Sequence, residues 1–220
     1  MRVPMVHRYV FVLVLAGGLA VSASACAHPH VWVTMHSKFL YAPDGSLTGI
    51  RHSWTFDDMF SAFATMGFPK VNGTFAPETL KPLAKVNVDG LKDFDYFTYA
   101  TVDGKRDKDA FNEPLADYRL DYDVKTTLLT LHFTLPLRQP VKAKTLKIEV
   151  YDPTFFIDFA MAKDDPVRLS GAPARCKVAT EKPPDANFPT TLKLDQALVT
   201  SEANVGMGAS FANTMTVTCP

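Results

Sequence analysis

The chain has 220 residues, 47% of them hydrophobic, and its 23 Lys and Arg balance 23 Asp and Glu. A neutral balance excludes the dense basic face that nucleic acid requires. The length and apolar content suit one folded core, at most two. There is no Gly-rich phosphate loop, G-x-S-x-G elbow, H-E-x-x-H or C-x-x-C, so the familiar nucleotide, hydrolase, zinc-protease and thiol-redox classes find no support.

Residues 1–27 read as an export signal. Arg2, His7 and Arg8 form a basic start, Tyr9 to Ala20 an apolar run, and Ala25-Cys26-Ala27 offers the small residues a signal peptidase accepts. The run is about a dozen residues, short of the roughly 20 that cross a bilayer. Cleavage after Ala27 leaves 193 residues, 28–220, expected to form a single β-rich domain. The alternative is that Cys26 is a lipoprotein cysteine, although Ala23 stands where a lipobox carries Leu; lipidation would block the new amine and anchor the chain. After cleavage two cysteines remain, Cys176 and Cys219, and an oxidising compartment predicts a disulfide between them.

Val31, Val33, Met35, Phe39 and Tyr41 alternate with polar residues as a strand, Pro43-Asp44-Gly45 marks a turn, and Ser46 to Phe56 returns as a second strand. A loop with an even residue count places Ile50 opposite Phe39 and Trp54 opposite Met35, with His52 inward and His36 outward. An odd loop would set His36 opposite His52 and mate an apolar face with a polar one, so the even loop is expected. Asp57 or Asp58 caps a short helix on which Met59, Phe60, Phe63 and Met66 recur at helical spacing, closed by Gly67. A second short helix starts at Pro77, and Pro82 is expected to stop it early. Phe94–Val102, Tyr118–Val124, Leu128–Leu137, Thr145–Tyr151, Phe155–Met161 and Thr214–Thr218 read as strands, with His132 facing outward and the last expected at a sheet edge beside Cys176. The fold class is therefore α+β and β-rich, mainly an antiparallel sheet or sandwich with one or two short helices after the first hairpin and one disulfide.

The chemistry-bearing motif is "HPH" at 28–30. A chain beginning at His28 offers an amine and a ring nitrogen on one residue and a second imidazole at His30, a nitrogen set suited to Cu(II), Ni(II) or Zn(II). Pro29 has no N–H, which rules out the square-planar site made from deprotonated backbone amides. His30 and His36 share a strand face but stand about 20 Å apart. His52 and His132 are then the candidates for a third ligand. Asp57, Asp58, Asp152 and Asp158 are further candidate ligands or acids, although capping and turn formation account for several of them.

"HPHVWV", "WTFDDMFS", "FTY" at 97–99, "VYDPTFFIDF" and "FANTMTVTC" together resemble a family of exported bacterial proteins known as domain of unknown function family 1007. The resemblance implies a periplasmic component of an uncharacterised transport system accompanying nickel/cobalt-type permeases of the inner membrane, with His28 and His30 as the site. The expectation is a periplasmic accessory protein that binds a transition metal ion (Ni, Co, Cu or Zn) and serves a metal transporter. The alternatives are a histidine-brace copper oxygenase and a non-catalytic, partner-binding β domain.

Mass spectrometry of the exported protein is expected to give a chain starting at His28 with Cys176 and Cys219 oxidised. A start elsewhere, or a lipid on Cys26, would remove the terminal amine from the site.

Overall fold

The computed structural model describes residues 30–113, 117–183 and 208–220. Residues 1–27, read above as an export signal, and His28 lie outside the described residues. Two β-sheets pack face to face. In chain order, the first hairpin is β1 (Val31–Tyr41) and β2 (Leu47–Phe56), followed by helices α1 (Asp58–Ala64) and α2 (Pro77–Leu91). The strands then continue as β3 (Thr98–Val102), β4 (Lys105–Asp107), β5 (Arg119–Tyr122), β6 (Leu129–Val141), β7 (Thr145–Val150), β8 (Ile157–Met161), β9 (Val167–Ser170), β10 (Lys177–Glu181) and β11 (Asn213–Thr218). One sheet runs β5-β6-β2-β1-β8, with β9 also on β1; the other runs β10-β11-β7-β3-β4.

The hairpin register is the expected one, reached by an unexpected route. Phe39 pairs with Ile50 and Met35 with Trp54. The loop is nevertheless odd: Ala42 and Ser46 close on the three residues Pro43, Asp44 and Gly45, with the Ala42 N–H donating to the Ser46 carbonyl and Gly45 at φ +80. A bulge then restores the apolar match, because Tyr41 pairs with Leu47 but Leu40 with Gly49, leaving Thr48 as the extra residue. Its hydroxyl donates to the Leu40 carbonyl at 3.0 Å. Without the bulge, His36 would face His52 and the polar face would turn inward. Beyond Thr48 the backbone needs glycine for space: a Cβ on Gly49 would stand 2.7 Å from the Leu135 carbonyl oxygen and 3.1 Å from Pro136 Cα.

The core lies between the sheets. Met35, Phe39, Ile50, Trp54, Leu131 and Phe133 of the first sheet are buried, as are Ala100, Ile148, Val150, Met215 and Val217 of the second. The pairing is mostly antiparallel, but β8 and β9 lie parallel to β1 end to end along its outer edge. That arrangement is not legible in strand periodicity, which carries no direction.

Three expectations are corrected. Pro82 does not stop the second helix, which runs 15 residues with Pro82 inside it. Proline at that position loses one backbone bond, and the burial of Leu80, Ala84 and Val88 along one stripe outweighs it. The strand expected from Phe94 begins only at Thr98. Asp95, Tyr96 and Phe97 take left-handed φ values of 51, 53 and 49, a conformation that costs roughly 1–2 kcal/mol per residue and is held by the buried Tyr96 and Phe97 side chains. The C-terminal strand is internal and not an edge, since β11 lies between β10 and β7.

Cys176 and Cys219 form the expected disulfide. In the chain-entropy account, closing a loop of this length contributes about 4 kcal/mol. Among the described residues no helix is long and apolar enough to cross a membrane.

Gly49→Ala is expected to lower unfolding free energy by roughly 1–3 kcal/mol, because the clash is with backbone that cannot swing away. Urea denaturation of the two proteins measures it.

Candidate functional site

The five motifs, far apart in sequence, meet at one end of the sandwich, where β1 begins. The backbone N–H of His30 donates to the Phe156 carbonyl at 2.9 Å, and that of Val31 reaches the same oxygen at 3.3 Å. The His30 and Phe156 rings lie 4.8 Å apart. Tyr99 stacks on Tyr151 at 4.4 Å, Phe211 on Phe155 at 4.1 Å, and Phe97 contacts Phe159 at 5.6 Å. The Asn213 side-chain amide donates to the Phe159 carbonyl from the other sheet.

Two aspartates hold this end together. Asp152 is buried and accepts from the backbone N–H groups of Thr154, Phe156 and Ile157 and from the Thr154 hydroxyl. Its carbonyl is covered by Gly208, where any Cβ would collide with Asp152 backbone. Asp57 caps α1 through Oδ1, accepting the Phe60 N–H at 2.8 Å, while Oδ2 accepts the Trp32 N–H at 2.8 Å. Asp58 accepts the N–H of Met59 at 2.8 Å. These three carboxylates are therefore occupied with local backbone.

Asp158 differs. It pairs in register with Trp32 on the neighbouring parallel strand and so points to the same outer face as Trp32 and His30. Partial burial raises its carboxyl above the usual carboxylate range. Asp158 on the β8 side and Asp57 on the β2 side thus both stand opposite Trp32, two residues along β1 from His30.

The other sequence candidates do not join this end. His52 pairs with Ser37, seven residues along β1 from His30, or about 23 Å of strand. It is wholly buried among Trp54 and Phe133, at ring distances of 5.4 and 5.3 Å. Its nitrogens are both engaged, Nδ1 with the Ser37 hydroxyl at 3.0 Å and Nε2 with the Thr98 hydroxyl at 3.3 Å. Because the Thr98 hydroxyl donates to the Tyr96 carbonyl at 2.9 Å, its oxygen accepts from Nε2–H, and Nδ1 accepts from Ser37. His52 is thus a neutral pin between the two sheets and not a ligand beside His30; burial lowers its pKa to about 3.

His132 is equally committed. It lies on the outer face between the Ser53 hydroxyl, 2.8 Å from Nδ1, and Asp121, 3.1 Å from Nε2. Burial, and then Arg119, lower its pKa against the opposing pull of Asp121. His36 is exposed on the row His36, Ser53, His132, Arg119 that crosses four strands. Among the described residues no three His, Cys, Asp or Glu side chains gather as a metal centre. Of the described histidines, His30 stands at this end, and His36, His52 and His132 do not.

Residues 13–219 match the family described as "Protein of unknown function (DUF1007)", and the chain belongs to that family. It is 24% identical over 162 residues to an uncharacterized protein of Haemophilus influenzae, covering 73% of this chain and 75% of that one. It is 34% identical over 99 residues to an uncharacterized 15.5 kDa protein in the trpE 3' region of Spirochaeta aurantia, covering 44% of this chain and 67% of that one.

His52 sets an acid limit on stability. Its folded pKa of about 3 lies below its unfolded value of about 6.5, so above pH 6.5 both states are neutral and nothing is lost. As pH falls from about 6.5 toward 3 the unfolded chain binds the proton first, costing ~1.4 kcal/mol per pH unit. His52→Leu is expected to flatten this limb while lowering stability at pH 7 by about 1–3 kcal/mol, since the Ser37 hydroxyl loses its partner. Denaturation curves at pH 7 and pH 4.5 for both proteins test it.

Proposed function

We propose that this is an exported, periplasmic accessory protein that binds a transition metal ion at its mature N-terminus and serves an inner-membrane metal transporter. His28 supplies the amine and a ring nitrogen, and His30 supplies the next nitrogen. The observation that carries the reading is the placement of His30: it is exposed at the first position before β1, its backbone fixed by the Phe156 carbonyl. An imidazole anchored there lets a two-residue extension fold back over it. The carboxyl of Asp158, on the adjacent strand and the same face, offers a further oxygen donor. The disulfide suits an oxidising compartment.

Donors of this kind bind metal only when deprotonated, so affinity should fall as pH drops through the imidazole and amine range. The test is calorimetric titration of Ni(II), Co(II), Cu(II) and Zn(II) into three proteins: one beginning at His28, one carrying a single extra N-terminal residue, and His30→Ala. Each change is expected to weaken binding by roughly tenfold or more, since even ligands one shell out contribute that much. Equal affinity in all three would sink the proposal.

A further inference from the structure

The outer face of the first sheet carries a chain of hydrogen bonds far from His30, running from Ser53 on β2 through His132 on β6 to Asp121 on β5. The Ser53 hydroxyl lies 2.8 Å from His132 Nδ1, and the Asp121 carboxylate lies 3.1 Å from Nε2. An ionised carboxylate only accepts, so in the neutral ring Nε2 carries the proton and the Nδ1 lone pair faces the Ser53 O–H. Burial favours that neutral ring. Arg119 bonds the same carboxylate, its Nε standing 3.1 and 3.2 Å from the two oxygens, and fixes it in place. A hydroxyl, a base whose lone pair faces it, and an acid that orients the base are the parts of a nucleophilic triad, which is recognised by these roles and not by a sequence motif. The missing G-x-S-x-G elbow therefore does not exclude one. A surface ion pair adds little to stability, so folding alone does not account for the arrangement.

Register supplies the remaining part. Each member comes from a different strand of one sheet, which holds the three side chains more rigidly than loops would. His36 on β1 stands opposite Ser53, on the side away from His132, and is exposed. Cross-strand neighbours of this kind have Cβ atoms about 5 Å apart, so the His36 ring can donate to an oxygen held over Ser53. Ser53 is only partly buried and open to a substrate from solvent.

We infer that Ser53, His132 and Asp121 form a hydrolytic centre for carboxylic esters. Ser53 Oγ bonds to the acyl carbon as its proton passes to His132 Nδ1, and the carbonyl electron pair moves onto oxygen, where His36 donates to it. The bond from the acyl carbon to the leaving oxygen then breaks, and the departing alkoxide takes the proton from Nδ1. Water opens the acyl-Ser53 ester in the same way: its proton goes to Nδ1 and its oxygen to the acyl carbon, Ser53 Oγ leaves with that proton, and a carboxylic acid is released. Asp121 is a positioning residue, holding the ring in the tautomer that both halves require.

The centre does not depend on metal binding, and its test is run with a chelator present. Protein beginning at His28 is treated with a fluorophosphonate, which is attacked by an activated serine with loss of fluoride, and its peptides are weighed; p-nitrophenyl acetate serves as the ester. The expected result is an adduct on Ser53 that forms about a hundredfold faster in folded than in urea-unfolded protein, with none on Ser170, exposed on β9. His132→Gln should slow labelling by about the same factor, and Asp121→Asn by about tenfold or more at an unchanged melting temperature, since the amide no longer enforces the tautomer. Ser53→Ala should reduce ester hydrolysis to the level of free imidazole. Labelling of Ser53 at one rate in folded and unfolded protein, an Asp121→Asn rate equal to that of the unaltered chain, or hydrolysis unchanged by Ser53→Ala would each overturn it. The last outcome would leave the ester to exposed imidazole alone.

Discussion

One extra residue, Thr48, governs the first sheet. The three-residue loop before it sets a pairing in which an apolar face would meet a polar one, and the bulge cancels that offset within two residues of the turn. From there every inward side chain of β2 follows: Ile50, His52, Trp54 and Phe56 enter the core, while Arg51 and Ser53 face out. The bulge brings its own requirement at Gly49, where the backbone of β6 passes too close for any side chain. Remove the bulge and His52 leaves the position where Ser37 and Thr98 satisfy it.

The same pairing arranges the far end of β1. With β2 in register, Phe56 lies opposite Val33 and the chain leaves the sheet at Asp57, beside Trp32. That places one carboxylate where it can cap α1 and hold the β1 backbone together. On the other side of β1, the parallel strand β8 is fixed by Asp152, which gathers the backbone N–H groups of the turn before it. The end that carries His30 is thus built from two aspartates performing backbone work, while partial burial raises the Asp158 carboxyl above its ordinary value. Acids in such motifs invite a reading as ligands, but most of them are spent on turns and caps.

Metal capture, as proposed, takes its place from the end of the molecule where β1 starts. A site made from a chain terminus gets its position from the first strand, and the strand's neighbours on either side supply what surrounds it. On the β2 side that is the apolar face of α1, and on the β8 side it is the Phe156 ring and the Asp158 carboxyl.

Much of this was legible in residues. Alternation in 31–41, 50–56 and 129–135 gave strands and their buried faces, because a half-buried strand has to alternate. The apolar match gave the register of the first hairpin even though the loop count behind it was wrong. Oxidising chemistry and an even cysteine pair gave the disulfide, and the motifs gave the family. Helical spacing at 59, 60, 63 and 66 gave a helix but not its inner face, which the buried Ser61 reveals only once the Leu129 N–H is seen above it. Parallel pairing of β8 with β1, the convergence of five motifs, and the separation of His52 from His30 were decided by tertiary structure alone. Each depends on contacts between residues tens to more than a hundred positions apart, and local sequence carries no distance between them.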